Sequence, residues 1–272
     1  MIRSQGIAVI INRFLGTIGN AAYGITLQVS GAISMVAGSV INAMNPQLMK
    51  AEGRSDRETM LKFTTLESKY SYLILATLLI PVLFELPGIL TFWLKDYPEH
   101  TVVFCRLIII SIILDQTTIG LTSANQAIGD IKNYSLLTST IRLLTLPCAW
   151  YCLRQGMPAY SVMVSYLAFE ILCGISRLPF MMRTAGLAVY DYCKNVFLVT
   201  FPPVLGNACI AYLISTNFDS VWRFLFTEAI GITSSIVLIY VFSLNTTEKN
   251  WIRANITEKL IQFYKNVRKE YD

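Results

Sequence analysis

Residues 71–94 read SYLILATLLIPVLFELPGILTFWL, and Glu85 is the only charged side chain among them. As a helix rising 1.5 Å per residue this run is about 36 Å long, enough to cross the ~30 Å hydrocarbon of a bilayer. A backbone facing lipid must close its hydrogen bonds within the segment, so the run predicts a helix rather than a strand. The solvent around this segment is therefore lipid, and the rest of the chain is read outward from it.

Five further runs of similar character follow, at 107–124, 134–153, 157–176, 195–215 and 224–244. Two weaker, glycine-rich runs precede it, at 6–27 and 28–48. Composition agrees: 54% of residues are hydrophobic and only 14% charged, where a soluble domain is about a quarter charged. Mean hydropathy is +0.53. The predicted fold is all-α, a polytopic transmembrane helical bundle of about eight spans. Residues 1–180 carry six of them (about 6–27, 28–48, 68–94, 102–124, 134–154 and 157–178), and 195–244 carry two additional helices. The tail 249–272 repeats apolar residues at steps of three and four between lysines and arginines. This pattern predicts an amphipathic helix in the headgroup layer.

Basic residues orient the bundle. With alternate loops assigned to opposite sides, 16 of the 22 lysines and arginines gather on one side, Arg3 and Arg177 among them. Only Lys95, Arg154 and Arg223 fall on the other, and Arg13, Arg106 and Arg142 lie in or near spans. Basic loops stay in the cytoplasm, so both termini are predicted there, in a multi-pass protein. The net charge of +5 sits mostly on that side and points to the bilayer surface, not to nucleic acid.

Enzyme signatures are sparse. His100 is the sole histidine, which excludes histidine triads and H-E-x-x-H zinc sites, and no Walker A loop or G-x-G-x-x-G occurs. The six cysteines sit mainly in apolar runs, where cysteine acts as a small hydrophobe. Neither metal nor cofactor is predicted, and no catalytic residue. Ionisable groups at membrane depth are the stronger pointers, since each is costly unless paired or wetted. These are Arg13, Arg106, Asp115, Arg142, Glu170 and Glu228. Helical spacing puts Asp115, Thr118 and Thr122 on one face. Pro81, Pro87, Pro147 and the pair Pro202–Pro203 fall within spans, and the pair predicts a sharp bend.

Several stretches carry a likeness. GNAAYGITLQVSGAI (19–33), NAMNPQLMKAEGR (42–54), ANQAIGDIKNYSLLTSTIRLLTLPCAWYCLRQGMPAY (124–160), GLAVYDYCKNVF (186–197) and WRFLFTEAIGITSSIVLIYVFSLNTTEKNWI (222–252) occur in consistent order. Together they resemble the second half of polysaccharide and lipopolysaccharide biosynthesis flippases of the multidrug/oligosaccharidyl-lipid/polysaccharide exporter superfamily, in a Bacteroidetes-like form. The resemblance implies a second six-helix lobe plus two added helices, spans seven to fourteen of a longer transporter, with the first lobe absent.

It further implies alternating access around a wet cavity. The substrate would be an undecaprenyl-diphosphate-linked oligosaccharide moved across a bacterial inner membrane, and the partners the bilayer and a separate N-terminal half. Expected substrate-binding residues are Arg13, Asn20, Gln28 and Arg142; expected ion-coupling residues are Asp115 and Glu170. Where the family commonly has a basic residue after paired alanines, this chain has Tyr23, and Arg13 is a candidate to supply that charge. Competing readings are a drug/cation antiporter of the same superfamily, a membrane-embedded glycan-assembly enzyme, and a non-functional remnant.

Overall fold

The structure, a computed structural model, describes residues 2–218, 222–246 and 248–250. Every regular element among them is helical. In chain order these are α1 (Ile2–Gly53), α2 (Arg57–Leu94), α3 (Thr101–Gln116), α4 (Ile119–Ile128), α5 (Ile131–Arg154), α6 (Ser161–Ala185), α7 (Val189–Asn217) and α8 (Arg223–Ser243). Among the described residues six are long and apolar enough to cross a membrane, or seven with the bent pair α3–α4 counted as one span. The chain is an all-α, multi-pass protein. The amphipathic tail expected over 249–272 lies, from residue 251 onward, outside the described residues.

The eight expected spans are corrected at two places, and the first of them lowers the count. The first two expected spans, 6–27 and 28–48, are not separate helices with a turn between them. Helix α1 carries both and kinks at Gly16 (φ 66°, ψ −162°), a backbone conformation that favours glycine. The arm 2–15 folds back on the arm 17–53. A Cβ added at Gly19 would lie 3.3 Å from Ile11 Cγ2, although eight residues of straight helix would separate them by about 12 Å. Arm 2–15 is about 21 Å long, shorter than the hydrocarbon is thick.

The second place is the expected span 102–124, which breaks into α3 and α4 with a bend of 49°. No proline is responsible. Thr117 Oγ1 donates to the carbonyl of Leu114 at 2.7 Å and Thr118 Oγ1 to that of Asp115 at 3.4 Å, side-chain bonds that compete with the helical ladder. Two foreign hydroxyls then enter the gap. The Gly120 amide donates to Ser68 Oγ of α2 at 2.9 Å, and Tyr192 of α7 places its hydroxyl 2.7 Å from Ser68 Oγ and 2.9 Å from the Thr117 carbonyl. A Cβ on Gly120 would meet the Thr64 carbonyl oxygen at 2.2 Å, so glycine sets how closely α4 approaches α2.

Prolines inside the helices free carbonyls four residues upstream, and neighbouring helices fill three of them. The Leu83 carbonyl, freed by Pro87, accepts from Arg106 Nε at 3.1 Å. That of Thr77, freed by Pro81, accepts from Asn207 Nδ2 at 3.4 Å. That of Val199, freed by Pro203, accepts from Ser243 Oγ at 2.8 Å. Helix α7 runs through Pro202–Pro203 as one element, and a π-helical turn lies ahead of them at Lys194–Leu198.

Helices α7 and α8 pack chiefly on α2, which also holds the chain at the start of α8 and just past its end. Glu85 accepts from Arg223 Nε and Thr227 Oγ1, each at 3.0 Å. Lys69 donates to both oxygens of Glu248 at 3.0 and 2.9 Å, and Tyr70 adds a bond of 2.7 Å. Between these ends Gly231 lets α8 lie against Pro81. The main apolar core fills the space between α1, α2, α3 and the facing sides of α5 and α6.

Candidate functional site: a charged cavity among four helices

A cavity of about 310 Å³ opens between both arms of α1, α3, α5 and α6. Arm 2–15 contributes Arg3; arm 17–53 contributes Ser30, Ser34 and Gly38. Helix α3 adds Ser111, Asp115 and Gln116, α5 adds Arg142, and α6 adds Tyr166 and Glu170. The kink at Gly16 makes this possible, because only a doubled-back chain brings Arg3 beside Ser34.

Its charged groups form one alternating chain. Arg3 Nη2 pairs with Glu170 Oε1 and also bonds the Tyr166 hydroxyl, with its guanidinium 3.8 Å over the Tyr166 ring. Glu170 Oε2 accepts from Arg142 at 3.1 Å. Arg142 Nη2 lies 3.4 Å from Asp115 Oδ1, the oxygen that Arg177 Nη2 reaches at 2.7 Å. Arg177 Nη1 extends the chain to Thr118 Oγ1 at 2.9 Å, across the break between α3 and α4. Three guanidinium groups thus meet two carboxylates, leaving one positive charge in excess. Arg177 is 2% exposed and Glu170 5%, so the chain is anchored in the bundle. Its open side is Arg142, a third of whose side chain is exposed.

Two buried polar atoms at the cavity have no hydrogen-bond partner among the described residues: Arg3 Nη1 and Gln116 Oε1. A buried donor without an acceptor costs about 1–3 kcal/mol, and on a cavity wall it is an unused donor available to a ligand.

Of the residues expected from sequence, the structure joins Arg142, Asp115 and Glu170 in one network. Arg13 is exposed on arm 2–15, Gln28 is exposed and Asn20 half-buried on arm 17–53, and none of the three lines the cavity. Arg3 and Arg177, which charge counting had placed in cytoplasmic loops, are interior. For Arg177 a signal existed: it lies three and four residues from Gly174 and Cys173 on the apolar run of α6, seven residues after Glu170 and so on its face. For Arg3 there was none, because its place depends on the fold-back at Gly16. Tyr23 is buried, 1% exposed.

Asp115 and Glu170 are each already engaged by guanidinium groups. Among the described residues no group of three histidine, cysteine or acidic side chains could hold a metal ion. The arrangement suits an anion with hydroxyl groups: guanidiniums match phosphate oxygens in a planar fork, and Ser30, Ser34, Ser111 and Gln116 offer hydrogen bonds beside them.

Fold and site together define a multi-pass helical membrane protein with a cationic, hydroxyl-lined cavity inside its bundle. Comparison with protein-family models, with curated proteins and with solved structures gives no match to this chain.

Proposed function

We propose that this chain is the substrate-binding lobe of a transporter that moves a diphosphate-linked, lipid-anchored oligosaccharide from the inner to the outer leaflet of a bacterial cytoplasmic membrane. The observation that carries this reading is the Arg3–Glu170–Arg142–Asp115–Arg177 chain, with its excess positive charge and its unused Arg3 donor facing a serine-lined cavity. The diphosphate would lie against Arg142 and Arg3 and the first sugars against the serines, while the lipid tail stays in the bilayer. In this reading α8 ends on the cytoplasmic side, and the short arm 2–15 turns back within the bilayer. A second helical half covers the face of arm 17–53 where Gln28, Ser39 and Asn42 are exposed, and the two rock about the cavity.

The cation-antiporter reading is less well supported, because a coupling carboxylate needs oxygens for its ion, and Glu170 has both held by arginines while Asp115 has Oδ1 held by two. The test is binding of an undecaprenyl-diphosphate oligosaccharide to the chain in lipid nanodiscs. Arg142→Ala should weaken it about tenfold or more, the scale of one lost charge-assisted contact. Arg154→Ala, at a guanidinium stacked on Trp150 away from the cavity, should leave it unchanged. Equal binding by wild type and Arg142→Ala would remove the cavity from the mechanism.

A further inference from the structure

A second buried acid lies outside the arginine chain. Glu67 projects from α2 into its seam with α4 and is 0% exposed. Ser123 Oγ of α4 stands 2.6 Å from its Oε1, while Oε2 has no hydrogen-bond partner among the described residues. Among the described residues Glu67 forms no ion pair, and the charged and titratable groups around it are engaged elsewhere. On α2, Lys69 and Tyr70 bond Glu248. From α7, the Tyr192 hydroxyl lies on Ser68 and Thr117, with the half-buried Cys193 next to it. From α6, Arg177 is held by Asp115 and Thr118. At the end of α1, Glu52 pairs with Arg57 and Lys50 is exposed. Helix α4 itself, Ile119–Ile128, carries no titratable side chain.

An isolated carboxylate sealed from water is among the most unfavourable groups a protein can bury, and such a group neutralises instead. A hard metal cation takes about six oxygen ligands; the seam shows a carboxylate and one hydroxyl. A proton needs one oxygen. As the neutral acid, Glu67 can donate to Ser123 Oγ through Oε1 and leave Oε2 as an uncharged carbonyl, which tolerates the missing partner far better than a charged oxygen. The seam has little room for water, since even a Cβ at Gly120 would strike Thr64.

We propose that Glu67 is a proton-binding site: the closed α2–α4 seam holds it as the neutral acid on Ser123, and it releases the proton only when that seam opens. Opening would act on the helix break directly, because Ser68, the next residue, holds the Gly120 amide there. The proposal stands apart from the transport reading and needs no oligosaccharide.

Infrared difference spectroscopy of the full chain in nanodiscs, between neutral and strongly alkaline buffer, tests it. A protonated-carboxyl band should be present at neutral pH, absent in Glu67→Gln and shifted in frequency in Ser123→Ala. Glu67→Gln keeps the shape of the neutral acid and should fold as wild type does; if it does not fold, the Ser123→Ala shift decides alone. A band that persists in Glu67→Gln, or is unmoved in Ser123→Ala, overturns the proposal. So does a band that vanishes at constant neutral pH on adding sodium chloride but not choline chloride, which would make the occupant a metal ion.

Discussion

Arg177 and Asp115 sit 62 positions apart in the chain, and the guanidinium donates to the carboxylate at 2.7 Å. The same guanidinium reaches Thr118, so one buried cation ties α6 to both sides of the break between α3 and α4. Removing one member leaves the other uncompensated, at about 3–5 kcal/mol for a buried pair. Arg177→Met should therefore lower the thermal unfolding temperature in detergent sharply. Arg177→Met with Asp115→Asn should be less destabilised than the sum of the single changes. Additive effects would show that the pair is not coupled.

Gly120 and Gly24 make a matched comparison. An alanine at 120 would collide with the Thr64 carbonyl, whereas at 24 none of the described residues lies within 4 Å of the added carbon. Gly120→Ala should cost about 1–3 kcal/mol as overpacking. Gly24→Ala should be neutral or gain up to about 1 kcal/mol from helix propensity. Thermal unfolding of the two variants side by side reads the difference.

Tyr192→Phe removes one hydroxyl and keeps the ring. The Thr117 carbonyl then loses its acceptor role at the break, and the expected cost is about 1–3 kcal/mol. Hydrogen exchange should quicken at residues 117–121 and stay unchanged in α5. Uniform protection in the variant would show that the break is held by other contacts.

Arg106 fills the carbonyl that Pro87 frees, so its value should depend on that proline. Arg106→Ala should destabilise the wild-type chain by about 1–3 kcal/mol. In a Pro87→Ala background, where the helix can bond its own Leu83 carbonyl, the same change should cost less. A full double-mutant cycle in detergent gives the coupling, and a coupling of zero rejects the explanation.

Glu248 provides a pH readout outside the spans. Burial pushes its carboxyl up, but the Asn245 amide, Lys69 and Tyr70 outweigh this and hold it below the ordinary carboxylate range. A depressed folded-state value means that its contribution is complete above the unfolded value, near 4.3, and is lost as pH falls through the folded one. Exchange protection of residues 244–246 and 248–250 should therefore hold at neutral pH and fall only below about pH 4. Glu248→Gln should lack that protection already at neutral pH.

Much of the site was visible in the sequence one residue at a time. Asp115, Arg142 and Glu170 stand out because a charge within an apolar run has to be paired or wetted, and that is a local property. Their pairing was not visible. Spacing put Asp115, Thr118 and Thr122 on one face, as an unbroken helix would. Asp115 and Thr118 do meet on one guanidinium, that of Arg177, whereas Thr122, beyond the break, goes to the Tyr134 hydroxyl at 2.6 Å.

From sequence alone come the apolar surroundings, the all-helical architecture and the choice of charges kept at depth, because hydropathy and backbone hydrogen bonding add up along a segment without reference to its neighbours. The fold-back at Gly16, the bend after Gln116 and the order of the arginine chain belong to the tertiary structure. Each depends on side chains from other helices reaching a particular backbone group or charge, and no sum taken along one segment contains that information.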